Sequence, residues 1–168
     1  MESIEQCEGV LTNNKQTKPP SGNSIELADG HLERARQELE SARNDLEQYH
    51  YAKSVHSSQT CMELSMKAIY RFFDEEFTPS HQLKSDEFAR VIDLIPENLQ
   101  YHNYPRLFVL ANFWVEFYTI SKYGHEKTGI SSEKIFKRDE AQLALQHADA
   151  CNRAANAINS WHELGRKQ

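Results

Sequence analysis

A chain of 168 residues, 39% hydrophobic and 26% charged, suits one domain with a sizeable core and has the composition of an ordinary soluble protein. No run approaches the ~18 apolar residues that a membrane span needs. A net charge of −6 argues against indiscriminate coating of nucleic acid, while a local basic patch stays open.

Cys7, Cys61 and Cys151 are too few and too far apart for a disulfide framework or a zinc pattern. Met1 to Glu5 lacks the basic start and apolar centre of a signal peptide. A reducing cytoplasm is the expected setting, with no metal and no cofactor.

Residues 1–23 are polar and contain Pro19-Pro20-Ser21-Gly22, which reads as a mobile tail ahead of a single domain over 24–168. A first helix starts near Ser24. Leu32, Ala35, Leu39, Ala42, Leu46 and Tyr49 alternate in steps of three and four along it, and Glu33, Arg34, Glu38, Glu40, Arg43 and Glu47 form a solvated face. Neither Gly nor Pro separates His50 from Tyr51, so the next boundary is a tight turn or a kink.

The central helix starts at Tyr51. Val55, Met62, Met66, Ile69 and Phe73 share one of its faces, and Leu64, Ala68 and Phe72 a second. A helix apolar on two faces packs against neighbours on both sides. Pro79 ends the helical stretch, and Ser80 suits the cap of a short third helix from Lys84 to Leu94. Pro96 closes that helix, and Pro105 suits the first turn of a fourth running from Arg106 to about Tyr123. This fourth helix is apolar nearly all round, which points to a second surface, a dimer interface at Phe113, Trp114 and Phe117. Gly124 breaks it. A last helix from about Ser132 carries Ala141, Ala144, Ala148, Cys151, Ala155, Ile158 and His162 on its seam. No strand alternation appears. The expected fold is all-α: an up-and-down bundle of four main helices and one short one.

This order of features resembles the HEPN family, the helical nucleotide-binding domains of higher eukaryotes and prokaryotes, over about Gly30 to Leu164. Leu32-Glu33-Arg34-Ala35-Arg36 matches its first amphipathic helix, and Glu63 with Lys67-Ala68 its second. His81-Gln82-Leu83 matches the His-x-Leu that follows, Lys122-Tyr123-Gly124 the end of the fourth helix, and Arg138-Asp139-Glu140-Ala141 the acidic, Ala-rich last helix. The resemblance implies a domain that commonly dimerises. Some members bind nucleotides beside a nucleotidyltransferase partner, and others are metal-independent ribonucleases. The nuclease members carry an Arg, four to six residues and a His late in the chain. Arg106 and His125 stand too far apart for that. Arg43 and His50 have the spacing but lie early, two turns apart and roughly 10 Å along a helix axis, so a catalytic role for them is disfavoured.

Four residues remain as ligand-binding candidates. Lys67 sits one turn from Glu63, where a surface ion pair is favoured over a phosphate contact. His81 is expected in the first turn of the third helix, fixing the turn rather than facing a ligand. Lys122 and Tyr123 complement the dipole of the fourth helix, or stack and pair with a base. The leading functional expectation is an accessory module, homodimeric, that engages a nucleotide, an RNA or a partner protein near the second and fourth helices. The alternative is a metal-independent ribonuclease, the toxin of a toxin–antitoxin pair with an antitoxin partner. A purely structural protein that docks its fourth helix on a larger partner is the third.

Overall fold

The computed structural model describes residues 21–167. Most of the expected tail, and Cys7, lie outside them. Seven α-helices follow one another: α1 (Gly22–Glu47), α2 (Tyr51–Phe72), α3 (Ser85–Ile92), α4 (Tyr104–Val115), α5 (Tyr118–Tyr123), α6 (Ser132–Ile135) and α7 (Arg138–Arg166), with 3₁₀ turns at Glu97–His102 and Glu126–Thr128. Among the described residues there is no β-strand, and no helix is long and apolar enough to cross a membrane. The all-α bundle is as expected.

The centre is α2. Fifteen of its 22 residues are buried, polar ones included, because α1 covers one side and α7 the other. Val55, Met62, Met66, Ile69, Ala68 and Phe72 are fully buried. On α7, Ala141, Ala144, Ala148, Ala154 and Ala155 have no exposed surface, which lets the two backbones come close. The Ser54 hydroxyl donates to the Ala42 carbonyl at 2.8 Å, tying α2 to α1, and the Tyr104 hydroxyl donates to Ala154 at 3.1 Å, tying α4 to α7. Cys61 and Cys151 are buried, and burial pushes the Cys61 thiol up to about 12 and the Cys151 thiol higher, so both are inert.

Three boundaries, besides the start of the third helix, differ from expectation. Tyr49 lies off the α1 seam: it is 71% exposed at φ 65° and turns the chain into α2. The fourth helix is two. It breaks at Glu116-Phe117, where Phe117 leaves helical geometry at φ −96° and ψ 1°, and α5 swings across α2. Within α4 the helical spacing of Leu107, Phe108, Ala111 and Trp114 puts them on the inward face, while Val109 and Phe113 stay 62% and 50% exposed. Trp114 is therefore a core residue, 3% exposed, with its indole N–H donated to His147 at 3.0 Å, and it cannot form a dimer surface. Phe117 is half-buried against Phe113, Trp114 and Phe136. The last helix also starts later than Ser132. Phe136 turns inward in extended geometry, 3% exposed, and α7 restarts at Arg138 with the Glu140 carboxylate accepting from the Lys137 N–H at 2.9 Å.

Candidate functional site

A groove of about 510 Å³ opens between α1, α2, α5 and the loop before α3. Its lining follows two polar stripes. His31, Arg34 and Glu38 recur along α1, and His56, Thr60, Glu63 and Lys67 along α2, at spacings that keep each set on one face. The loop before α3 supplies Phe77, Ser80 and His81, and α5 supplies Tyr118.

Glu63 is the hub. Its side chain is 9% exposed, and it accepts from the Lys67 ammonium at 2.6 Å, from His81 Nδ1 at 2.8 Å and from the Gln59 amide at 3.3 Å. Lys67 is itself 13% exposed. A solvated surface pair was the favoured expectation. Instead the pair is almost buried, because the loop before α3 folds back over it and brings a third partner.

His81 does not belong to the third helix. That helix starts at Ser85 with Lys84 at its N-cap, while Ser80 accepts from the Gln82 N–H at 3.1 Å in a local turn. The loop is pinned at both ends. Glu87 on α3 accepts from the Thr78 N–H and hydroxyl, contacts that hold its carboxyl below the usual range. The Asn112 side chain on α4 both donates to and accepts from the Leu83 backbone, each at 2.9 Å. So held, His81 stacks on Tyr118 at 4.2 Å and 25°. His56 meets the same tyrosine at 5.0 Å, and the Lys122 ammonium lies 6.0 Å from its ring. Lys67 and Arg71 lie 5.5 and 4.9 Å from the Phe77 ring.

Burial lowers the pKa of His31, and Lys67, Arg71 and Arg34 add to this. Burial also lowers that of His56, with Lys122 the next cause. Both rings are thus favoured in the neutral form. Among the described residues Arg34 makes no ion pair, so its guanidinium is free for a ligand. Likewise, no three His, Cys, Asp or Glu side chains gather as a metal-ligand set among the described residues.

Lys67 and His81 thus meet in one groove. Lys122 lines the adjoining cavity, and Tyr123, 62% exposed, lines a separate recess with His125 and Ile130. Arg43 and His50 do not come together. Arg43 pairs with Asp149 on α7 at 2.8 Å, and His50, in the turn rather than in the first helix, pairs with Asp45 at 3.4 Å. Sequence reading passed over His31, His56 and Tyr118, and left Arg34 on the solvated face. The polar stripe on an otherwise apolar α2 was a visible signal for His56. Nothing marked Tyr118.

A family model described as HEPN domain matches residues 28–156, from within α1 to within α7. The chain belongs to the HEPN-domain family. This HEPN domain is similar in fold to TT1696 from Thermus thermophilus, whose crystal structure superposes with a TM-score of 0.59. Identity is 19%, with 78% of this chain and 97% of that one covered, a likeness of fold alone. No curated protein matches this HEPN domain.

Proposed function

We propose that this HEPN domain is an accessory binding module, homodimeric through the outer face of α4, that takes a phosphate-bearing ligand, a nucleotide or an RNA, in the groove between α1 and α2. Family membership supports a nucleotide- or RNA-related role in general. The observation that carries the finer reading is that Lys67, His81 and Arg34, the last without an ion-pair partner among the described residues, line one groove. Glu63 neutralises one positive charge, and Arg34 supplies a second in the bidentate geometry that suits phosphate. Neutral His31 and His56 add donors and acceptors for a base or a sugar. The groove volume lies within the ~300–1,000 Å³ usual for small-ligand sites.

Titration of the protein with AMP and with single-stranded RNA, followed by calorimetry, tests this. Arg34→Ala is expected to weaken both by roughly 10- to 150-fold, since a charge-assisted bond contributes ~1.5–3 kcal/mol. If folded protein binds neither ligand, the reading fails.

One geometric feature favours the ribonuclease as second reading. With Nδ1 of His81 donating to the Glu63 carboxylate, Nε2 is the ring nitrogen left for proton transfer, the arrangement of an oriented general base. Cleavage of end-labelled RNA that survives EDTA and vanishes in His81→Ala would carry that reading above the first. Intact RNA excludes it.

A further inference from the structure

A second cavity of about 360 Å³ lies beside the groove, and His56 lines both. Lys53, Lys122, Ser57, Ser121 and Ser132 line it, with the Ser121 hydroxyl donated to the Tyr118 carbonyl at 2.9 Å and the Lys122 ammonium 5.3 Å from the Tyr123 ring. Neither lysine has an ion-pair partner among the described residues. The contacts from one cavity to the other are continuous. Lys67 meets Glu63 at 2.6 Å, Glu63 meets His81 at 2.8 Å, and His81 stacks on Tyr118 at 4.2 Å. On the other side of this tyrosine's contacts stand His56 at 5.0 Å and the Lys122 ammonium at 6.0 Å. His56 thus lines both cavities and Tyr118 the first, where Glu38 and Glu63 stand against Arg34 and Lys67. Two carboxylates, Asp45 and Glu133, also line the second cavity, and Asp45 is engaged by His50 at 3.4 Å.

We infer that the second cavity is a subsite for a further phosphate of the same ligand, so that the chain binds an oligonucleotide of two or more residues in preference to a mononucleotide. This rests on the proposed reading of the first groove. A mononucleotide fills the groove between α1 and α2 and leaves Lys53 and Lys122 unused. A phosphodiester-linked second nucleotide, passing His56 and Tyr118, brings its phosphate to them. Each lysine that neutralises a phosphate releases counterions, so the longer ligand binds with a steeper salt dependence, by ~0.7 in the logarithmic slope per phosphate on single strands.

The test compares AMP, AMP with added inorganic phosphate, and 5′-phosphorylated diadenosine, pApA, on the wild type, on Lys53→Ala and on Lys53→Ala/Lys122→Ala. Both lysines are exposed, so the double variant keeps the fold. The expected result is pApA binding ~10-fold tighter than AMP, with that advantage and the extra salt slope lost in the double variant, while AMP binding is unchanged in Lys53→Ala, which keeps the Lys122 contact with Tyr118 of the first groove. Asp45→Asn/Glu133→Gln, which removes the two opposing charges, is expected to strengthen pApA binding and leave AMP alone. Inorganic phosphate that adds to AMP binding only in the presence of both lysines supports the subsite by another route. Equal affinities for AMP and pApA on the wild type overturn the subsite and leave the groove reading standing. Loss of AMP binding in Lys53→Ala overturns it too, since the cavities would then be one site. Wild-type protein that binds none of the ligands sinks the groove reading and the subsite with it.

Discussion

At Glu63 three donors converge on one carboxylate with almost no access to water. Isolated, a charge so placed would be costly, and the Lys67 ammonium and the His81 ring offset that cost. His162 shows the opposite outcome. Its ring stacks on Phe72 at 5.6 Å and 24°, meets Phe73 and Trp161 edge-on or tilted, and has Nε2 buried without a partner among the described residues. Burial, helped by Arg166, lowers its pKa from 6.5 to about 4. In the unfolded chain the ring takes its proton near 6.5, whereas in the folded one it resists until about 4. The unfolded state therefore binds more protons as pH falls through that window, and stability drops with it. Above 6.5 both states are neutral and the ring has no such effect. His162→Phe keeps the stacked shape and removes the titration. Its melting temperature is expected to fall less than that of the wild type between pH 7 and pH 4.5, measured by circular dichroism. Parallel declines would show that the ring is solvated on protonation and does not sense the fold.

At the scale of elements, the turn between α1 and α2 explains why that boundary carried no marker in the sequence. The His50 N–H donates to the Asp45 carbonyl at 2.7 Å and the Tyr49 N–H to Leu46 at 3.2 Å, with Tyr49 left-handed at φ 65°. That is the hydrogen-bond pattern in which glycine usually ends a helix, here held by a tyrosine. A side chain costs about 1–2 kcal/mol in this conformation, and glycine's looser unfolded chain returns part of any gain. Tyr49→Gly is therefore expected to stabilise the domain by about 0.5–1 kcal/mol, seen as a higher urea midpoint at unchanged slope. A lower midpoint would mean that the edge contact of Tyr49 with Tyr51 at 6.3 Å outweighs the backbone strain. The same logic separates what could be read from the chain from what could not. The apolar periodicity of α1, α2 and α7 is a property of each helix alone, so the bundle was legible from spacing. The break at Phe117 has neither Gly nor Pro to announce it, and it serves packing across elements, bringing Tyr118 to His56 and His81. Lys67 and His81 stood out within their own segments. Their convergence on Glu63 depends on a loop fastened by Glu87, nine residues from Thr78, and by Asn112, 29 residues from Leu83, contacts that exist only in three dimensions.

For the whole molecule the open face of α4 sets the question of assembly. Val109 and Phe113 point outward at 62% and 50% exposure, whereas Trp114 lies inside. Truncating Trp114 to alanine would remove core volume and its bond to His147, at a cost of about 3–5 kcal/mol, so a change in mass there would report unfolding rather than association. The informative variant is Val109→Lys/Phe113→Lys, which places two charges on side chains that the isolated fold leaves in water. An interface of ordinary size buries ~800 Å² on each partner, far more than these two residues, and its centre tolerates charge poorly. If α4 lies at that centre, sedimentation velocity is expected to show a wild-type dimer and a variant monomer, with equal melting temperatures once dissociation is allowed for. A variant that stays dimeric moves the interface elsewhere on the bundle. Wild-type protein that sediments as a monomer at all micromolar concentrations removes the homodimer from the proposal, and leaves Val109 and Phe113 as isolated apolar side chains of the kind that any protein surface carries.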